Sequence, residues 1–128
     1  MDWSAQHGGE VLVRLTLPAE FLEWLSTRTR DPVVTLLDPY RDAVLDAGLQ
    51  SHWLRVLREV GEQSIADRRR HHEAHSHLPR APDARAAVLG HLLAQDVARD
   101  PHHRTLGDLR ALLEIALESG ASIRIVGD

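Results

Sequence analysis

The residues best suited to chemistry are histidines concentrated in one stretch of the chain. Of the nine histidines, four lie between residues 71 and 77. On a helix, His71 and His75 share a face, as do His72 and His75, and either pair can bind one metal ion. This pattern gives a metal hypothesis, a zinc or nickel protein or a metal-dependent enzyme. Its ligands are drawn from this stretch and from a second histidine pair, namely His71, His72, His75, His77, His102 and His103.

The same stretch contains three consecutive arginines, Arg68, Arg69 and Arg70. They could contact phosphates, which gives a second alternative, a small nucleic-acid-associated regulator. Three consecutive residues cannot all face one side of a helix, and no aromatic residue is interleaved with them to stack on bases. The whole chain carries a formal charge of −4. Composition therefore argues against nucleic acid as the partner.

Several other catalytic chemistries are excluded by residue type. The chain has no cysteine, so it has no disulfide, thiolate metal ligand or cysteine nucleophile. All its basic residues are arginines, so no lysine can form a Schiff base or contact phosphates in a P-loop. No serine lies in a Gly-x-Ser-x-Gly elbow. The sequence therefore predicts no catalytic residue and favours a non-enzymatic protein.

Two segments have the pattern of β-strands. Apolar residues alternate over Val11–Leu17, and Ser122–Val126 is short and rich in β-branched residues. We expect these strands to pair side by side. Because a two-stranded sheet is marginal, Val33–Leu37 is a candidate third strand, although the Asp-Pro pair before it favours a helical turn. If no third strand forms, an edge of the sheet stays open for a strand of a partner protein or of a second copy in a homodimer.

Apolar residues at helical spacing, with capping residues and prolines at the ends, predict the helices. They begin near Pro18, Asp38-Pro39, Ser51, Asp83 and Thr105. The expected fold is α+β and mostly α-helical, with four to five helices packed against a small sheet formed by the N-terminal and C-terminal strands. Residues 1–9 are expected to form a flexible tail and residues 10–128 a single compact domain, in which 66–82 can form a polar excursion.

A small, mildly acidic domain without a catalytic constellation is suited to binding another protein. Its acidic residues would steer and contact a basic partner, and Trp3 either folds back or serves as an interface residue. The acidic candidates are Glu20, Glu23, Asp38, Asp42 and Asp46. In general character the chain is similar to bacterial immunity proteins, which implies that it neutralises its partner in the manner of an immunity protein or antitoxin. We expect no cofactor. We also expect a cytoplasmic protein, since no apolar run approaches about 20 residues and no secretory signal is visible.

Overall fold

The amino-terminal residues form a β-strand, so the prediction of a flexible tail over residues 1–9 is wrong. The computed structural model describes residues 1–128, and in it β1 (Asp2–His7) turns back into β2 (Glu10–Thr16). Gly8 and Gly9 make the turn with φ angles of 59° and 80°, which side chains with a Cβ rarely adopt. The segment looks polar in sequence because alternate residues face solvent, and only Trp3 and Ala5 face the core.

The sheet has four antiparallel strands in the order β2-β1-β4-β3, with β3 at Ala43–Leu45 and β4 at Ser122–Val126. β1 lies between the two strands that the sequence predicted, so these do not pair with each other as expected. The additional strands are β1 and β3. Residues 33–37 are not a strand, which confirms the preference for a helical turn there.

Five helices complete the α+β fold that the sequence predicted. They are α1 (Ala19–Arg28), α2 (Pro32–Thr35), α3 (Ala47–His75), α4 (Pro82–Arg99) and α5 (Pro101–Ser119). Proline stands in the first turn of α2, α4 and α5, where its missing N–H is not needed. α3 continues through the histidine and arginine stretch, so that stretch is helical up to residue 75. None of the five helices is long and apolar enough to cross a membrane.

The helix predicted to open at Asp38-Pro39 does not form. Asp38 accepts a hydrogen bond from the N–H of Tyr40 at 2.9 Å and so closes a turn. Asp42 accepts one from the N–H of Gly127 at 3.0 Å, which holds the chain beside the end of β4. Leu45 is then buried in β3. Pairing with a strand from the other end of the chain therefore overrides the local helix signal.

The core lies between one face of the sheet and the helices. Trp3, Ile123 and Ile125 have no accessible surface, and Trp3 packs edge-to-face against Trp53 of α3 with ring centroids 5.1 Å apart. Buried leucines of α5 form the next layer. On the opposite face of the sheet the side chains are exposed or half-buried. The sheet therefore has one packed face and one face that no helix covers.

Candidate functional site

The carboxyl-terminal half of α3 packs near the ends of α1, α4 and α5, and polar side chains line the cavity between them. This cavity, called here the polar cleft, measures about 420 Å³ and has no hydrophobic residue in its wall. Its lining consists of Arg28, Ser64, Asp67, Arg68, His71, His72 and Asp96.

The arginines of the polar cleft are held by carboxylates. Arg28 reaches Asp67 with an Nη1–Oδ2 distance of 3.4 Å, and its guanidinium lies over the ring of Trp24. Arg68 pairs with Asp100, whose other oxygen accepts a hydrogen bond from the first turn of α5. Because each arginine already has a carboxylate, the cleft carries little free positive charge for an anion.

His72 joins α3 to α4. Its Nε2 lies 2.6 Å from Oδ2 of Asp96, and its Nδ1 lies 2.7 Å from the hydroxyl of Ser76. Both ring nitrogens are therefore engaged in hydrogen bonds that connect the end of α3 with its neighbour. This arrangement leaves His72 no free nitrogen for a metal ion.

The histidines proposed as metal ligands are dispersed in the structure. The rings of His71 and His75 lie 4.8 Å apart, centroid to centroid, on the exposed side of α3. His77 follows the end of that helix and is exposed. Across the whole chain no three histidine, aspartate or glutamate side chains meet in a geometry that could hold a metal ion. The metal hypothesis therefore depends on the pair His71 and His75.

The second histidine pair lies at the start of α5 and has a different environment. His102 stacks on Trp24 with ring centroids 5.2 Å apart and an interplanar angle of 12°. His103 is buried, and its Nε2 lies 2.8 Å from the hydroxyl of Ser64 on α3. Neither ring is directed to the pair His71 and His75, so the two groups of histidines do not form one site.

Ser64 and His103 make the only contact between a buried hydroxyl and a buried imidazole. Burial lowers the pKa of His103 below its ordinary value of 6.5, so the ring is neutral at pH 7. A serine beside a neutral histidine resembles the start of a nucleophile and base pair. However, the His103 ring has no other hydrogen bond, and the N–H groups around a mid-helix serine are used by the helix itself. The pair therefore links α3 to α5.

The His103 environment predicts a loss of stability on acidification. The unfolded chain takes up a proton as the pH falls past 6.5, before the buried imidazole does. The free energy of unfolding should then fall by up to about 1.4 kcal/mol per pH unit until the folded pKa is passed. The measurement is urea denaturation between pH 7 and pH 5, comparing wild type with His103→Gln, in which this slope disappears.

The matched control is His77→Gln, which replaces an exposed histidine and should retain the slope. Asp31 does not interfere. Its pKa is lowered by the hydrogen bond from His52, so its contribution is present above 3.8 and is lost only below that pH. If His103→Gln keeps the wild-type slope between pH 7 and pH 5, then His103 is not the group responsible.

The uncovered side of the sheet is a second candidate surface, called here the open face. Strand register places Arg14, Ser4 and Arg124 in one row across β2, β1 and β4, and Val44 of β3 continues that row. Its other members lie on the same side of the strands. They are Asp2, Gln6, Leu12, Thr16, Ser122 and Val126.

The two arginines of the open face have no carboxylate partner. The ion pairs of the structure all involve other residues. Ser4 lies half-buried between them, on the floor of a depression of about 360 Å³. The nearby carboxylate of Asp2 accepts a hydrogen bond from the hydroxyl of Thr16 at 2.7 Å. The centre of the open face is therefore a pair of available cations around a small polar side chain.

Apolar side chains are also exposed on the open face. Leu12, Val44 and Val126 have 40%, 64% and 40% of their surface accessible. They stand on three different strands. Arginine and exposed aliphatic residues together are a composition found at protein interfaces.

The acidic residues predicted to contact a basic partner lie on α1 and in the segment that leads into α3. Glu20 and Glu23 are exposed on α1. The predicted aspartates accept backbone hydrogen bonds, Asp38 and Asp42 at turns and Asp46 at the start of α3. Trp3 has no accessible surface, so it folds back onto the core as one of the two alternatives predicted, and the other alternative, contact with a partner, is wrong. A large aromatic residue on the packed side of a central strand is held by the core.

The three consecutive arginines do not form one surface. Arg68 pairs with Asp100, and Arg70 pairs with Asp67. Arg69 is exposed without an ion pair. The helix directs them to different sides, as their spacing predicts.

Comparisons with protein families, curated proteins and solved structures found no match for this chain.

Sequence reasoning did not find Arg14 and Arg124 as functional candidates. The signal was present, since each arginine occupies an outward position in an alternating strand. Their proximity depends on β1, which the sequence pattern did not reveal as a strand. Ser64 and Asp96 were likewise missed, because no local sequence pattern distinguishes them from other polar residues on a helix. Their contacts with His103 and His72 arise only when the helices pack together.

Proposed function

We propose that this protein is a non-enzymatic protein-binding domain and that the open face is its contact surface. The observation that supports this proposal most strongly is the row of Arg14, Ser4 and Arg124 on a sheet face without a covering helix. Two guanidinium groups without an ion-pair partner stand on this face, in a chain whose net charge is −4. A partner protein that supplies carboxylates would form ion pairs with these two arginines.

The spacing of the arginines suits an acidic segment of a partner protein. Arg14 and Arg124 are separated by one strand, so their backbones are about 10 Å apart. Guanidinium groups bind carboxylates through two parallel hydrogen bonds, and arginine is enriched among residues that dominate binding energy. The aliphatic side chains Leu12, Val44 and Val126 would contact the apolar part of the same segment. The open face therefore favours an acidic partner over the basic partner predicted from composition.

Three further expectations stay predictions. One is that the binding neutralises its partner in the manner of an immunity protein or antitoxin, and another is the cytoplasmic location. The third is a homodimer through an open strand edge. β2 is an outer strand, but its register with β1 shifts between Ala5 and Gln6, and such bulges disfavour pairing at an edge.

The proposal can be tested with peptides selected from a random phage-displayed library on the wild-type protein. We expect the selected peptides to be rich in aspartate and glutamate. A selected peptide should lose at least about tenfold in affinity for the double variant Arg14→Glu and Arg124→Glu, since each lost charge pair is worth a few kcal/mol. Binding is measured by isothermal titration calorimetry, and circular dichroism verifies that the variant is folded.

The matched control is Arg80→Glu, which reverses another exposed arginine outside the sheet. It changes the net charge in the same direction. The affinity of this single variant for the selected peptide should be at least half that of the wild type. Selected peptides without acidic residues, or equal binding by the double variant and the control, would contradict the open face as an acidic-partner site.

A further inference from the structure

A separate cavity lies between α3, α4 and α5. His103 lines this cavity while its hydrogen-bond partner Ser64 lines the polar cleft, so the pair stands between the two spaces. The cavity, called here the three-helix cavity, measures about 510 Å³. That volume is within the usual range of small-molecule sites, about 300–1,000 Å³. Its lining consists of Arg58, Gly61, Glu62, Ile65, Val97, His103, Leu106, Gly107 and Arg110.

One side of the three-helix cavity is apolar. Ile65, Val97 and Leu106 supply it, one from each of the three helices. Two glycines leave room beside them. A Cβ added to Gly107 would meet no atom within 4 Å, and one added to Gly61 would meet only a Leu106 methyl group at 3.6 Å. The space can therefore accept an apolar group of a few carbon atoms.

The polar side of the three-helix cavity contains one cation without a partner. Arg58 lies 3.5 Å from Glu114 and is compensated by it. Arg110 forms no ion pair and no hydrogen bond, and its Nε is buried without an acceptor. Because the guanidinium has no protein partner, a carboxylate placed against its terminal N–H groups would form charge-assisted hydrogen bonds. Glu62 also lines the cavity, and its negative charge, like that of Glu114, disfavours a ligand with two negative charges.

We propose that the three-helix cavity binds a small monocarboxylic acid, with its carboxylate on Arg110 and its hydrocarbon part against Ile65, Val97 and Leu106. A monoanion satisfies the unpaired guanidinium without strong repulsion from Glu62. This site does not involve the open face, so it is independent of the proposed protein-binding function.

The test uses hexanoate as the probe and hexan-1-ol as a neutral counterpart of similar shape. Nitrogen-15 NMR follows the backbone amides of Gly61 on α3 and Gly107 on α5, both of which line the cavity. We expect saturable shifts of both amides with hexanoate and at least about tenfold weaker binding of hexan-1-ol. Arg110→Gln should weaken hexanoate binding by at least about tenfold, while Arg80→Gln should leave it unchanged.

A second variant tests the cavity without touching the charge. Gly107→Leu places a side chain in the open space and should abolish the hexanoate shifts at Gly61. The double variant Arg14→Glu and Arg124→Glu should bind hexanoate with the affinity of the wild type. The hexanoate experiment therefore tests the cavity independently of the proposed protein-binding function of the open face. Absence of saturable shifts, equal binding of the acid and the alcohol, or full binding by Arg110→Gln would each overturn the proposal.

Discussion

Replacing Trp3 with alanine should lower the free energy of unfolding by about 3–5 kcal/mol. The indole has no accessible surface and packs edge-to-face on Trp53, so truncation leaves a cavity between the sheet and α3. β1 is also hydrogen-bonded to both β2 and β4. Loss of its anchoring side chain therefore weakens the strand that holds the sheet together. Urea denaturation followed by tryptophan fluorescence and circular dichroism gives the difference.

The control for this prediction is Ser4→Ala on the same strand. Ser4 faces the open side, so its replacement removes no core contact and should cost less than about 1 kcal/mol. Trp3→Phe keeps an aromatic ring at the position and should fall between the two. A Trp3→Ala protein as stable as Ser4→Ala would show that β1 does not belong to the cooperatively folded unit.

Replacing Gln50 with leucine should cost about 2–4 kcal/mol, although leucine preserves most of the packing. The side chain is 1% exposed, and its Nε2 donates to the carbonyl oxygens of Leu45 and Ala121, each at 2.9 Å. One amide thus joins α3 to the end of β3 and to the residue before β4. Leucine leaves both carbonyls buried without this donor. The change is measured by chemical denaturation.

Gln63→Leu is the matched control, because it makes the same exchange at an exposed position of the same helix. It should change the free energy of unfolding by less than about 0.5 kcal/mol. Gln50→Glu separates the packing role of the side chain from its role as a hydrogen-bond donor. It keeps the shape of glutamine, but an ionised carboxylate cannot donate to either carbonyl. If Gln50→Leu is no more destabilising than Gln63→Leu, the two hydrogen bonds contribute little to stability.

The helices were largely predictable because their signals are local. Apolar residues at helical spacing mark α3, α4 and α5, and a proline opens each of the last two. Gly120 ends α5 with a positive φ of 63°, as its place after the last apolar residue predicts. β2 and β4 alternate clearly enough to be predicted as well. Each of these signals involves residues that remain close along the chain.

The sequence by itself determined the α+β class, most of the helices and two of the four strands. Only the tertiary structure decided that residues 2–7 form the inner strand, that Ala43–Leu45 joins the sheet, and that Arg14 and Arg124 lie on either side of Ser4. It also separated the histidines, which had looked like one ligand set. The reason is that strand pairing and helix packing bring together residues far apart in sequence, and local pattern contains no information about which distant segment will be the neighbour.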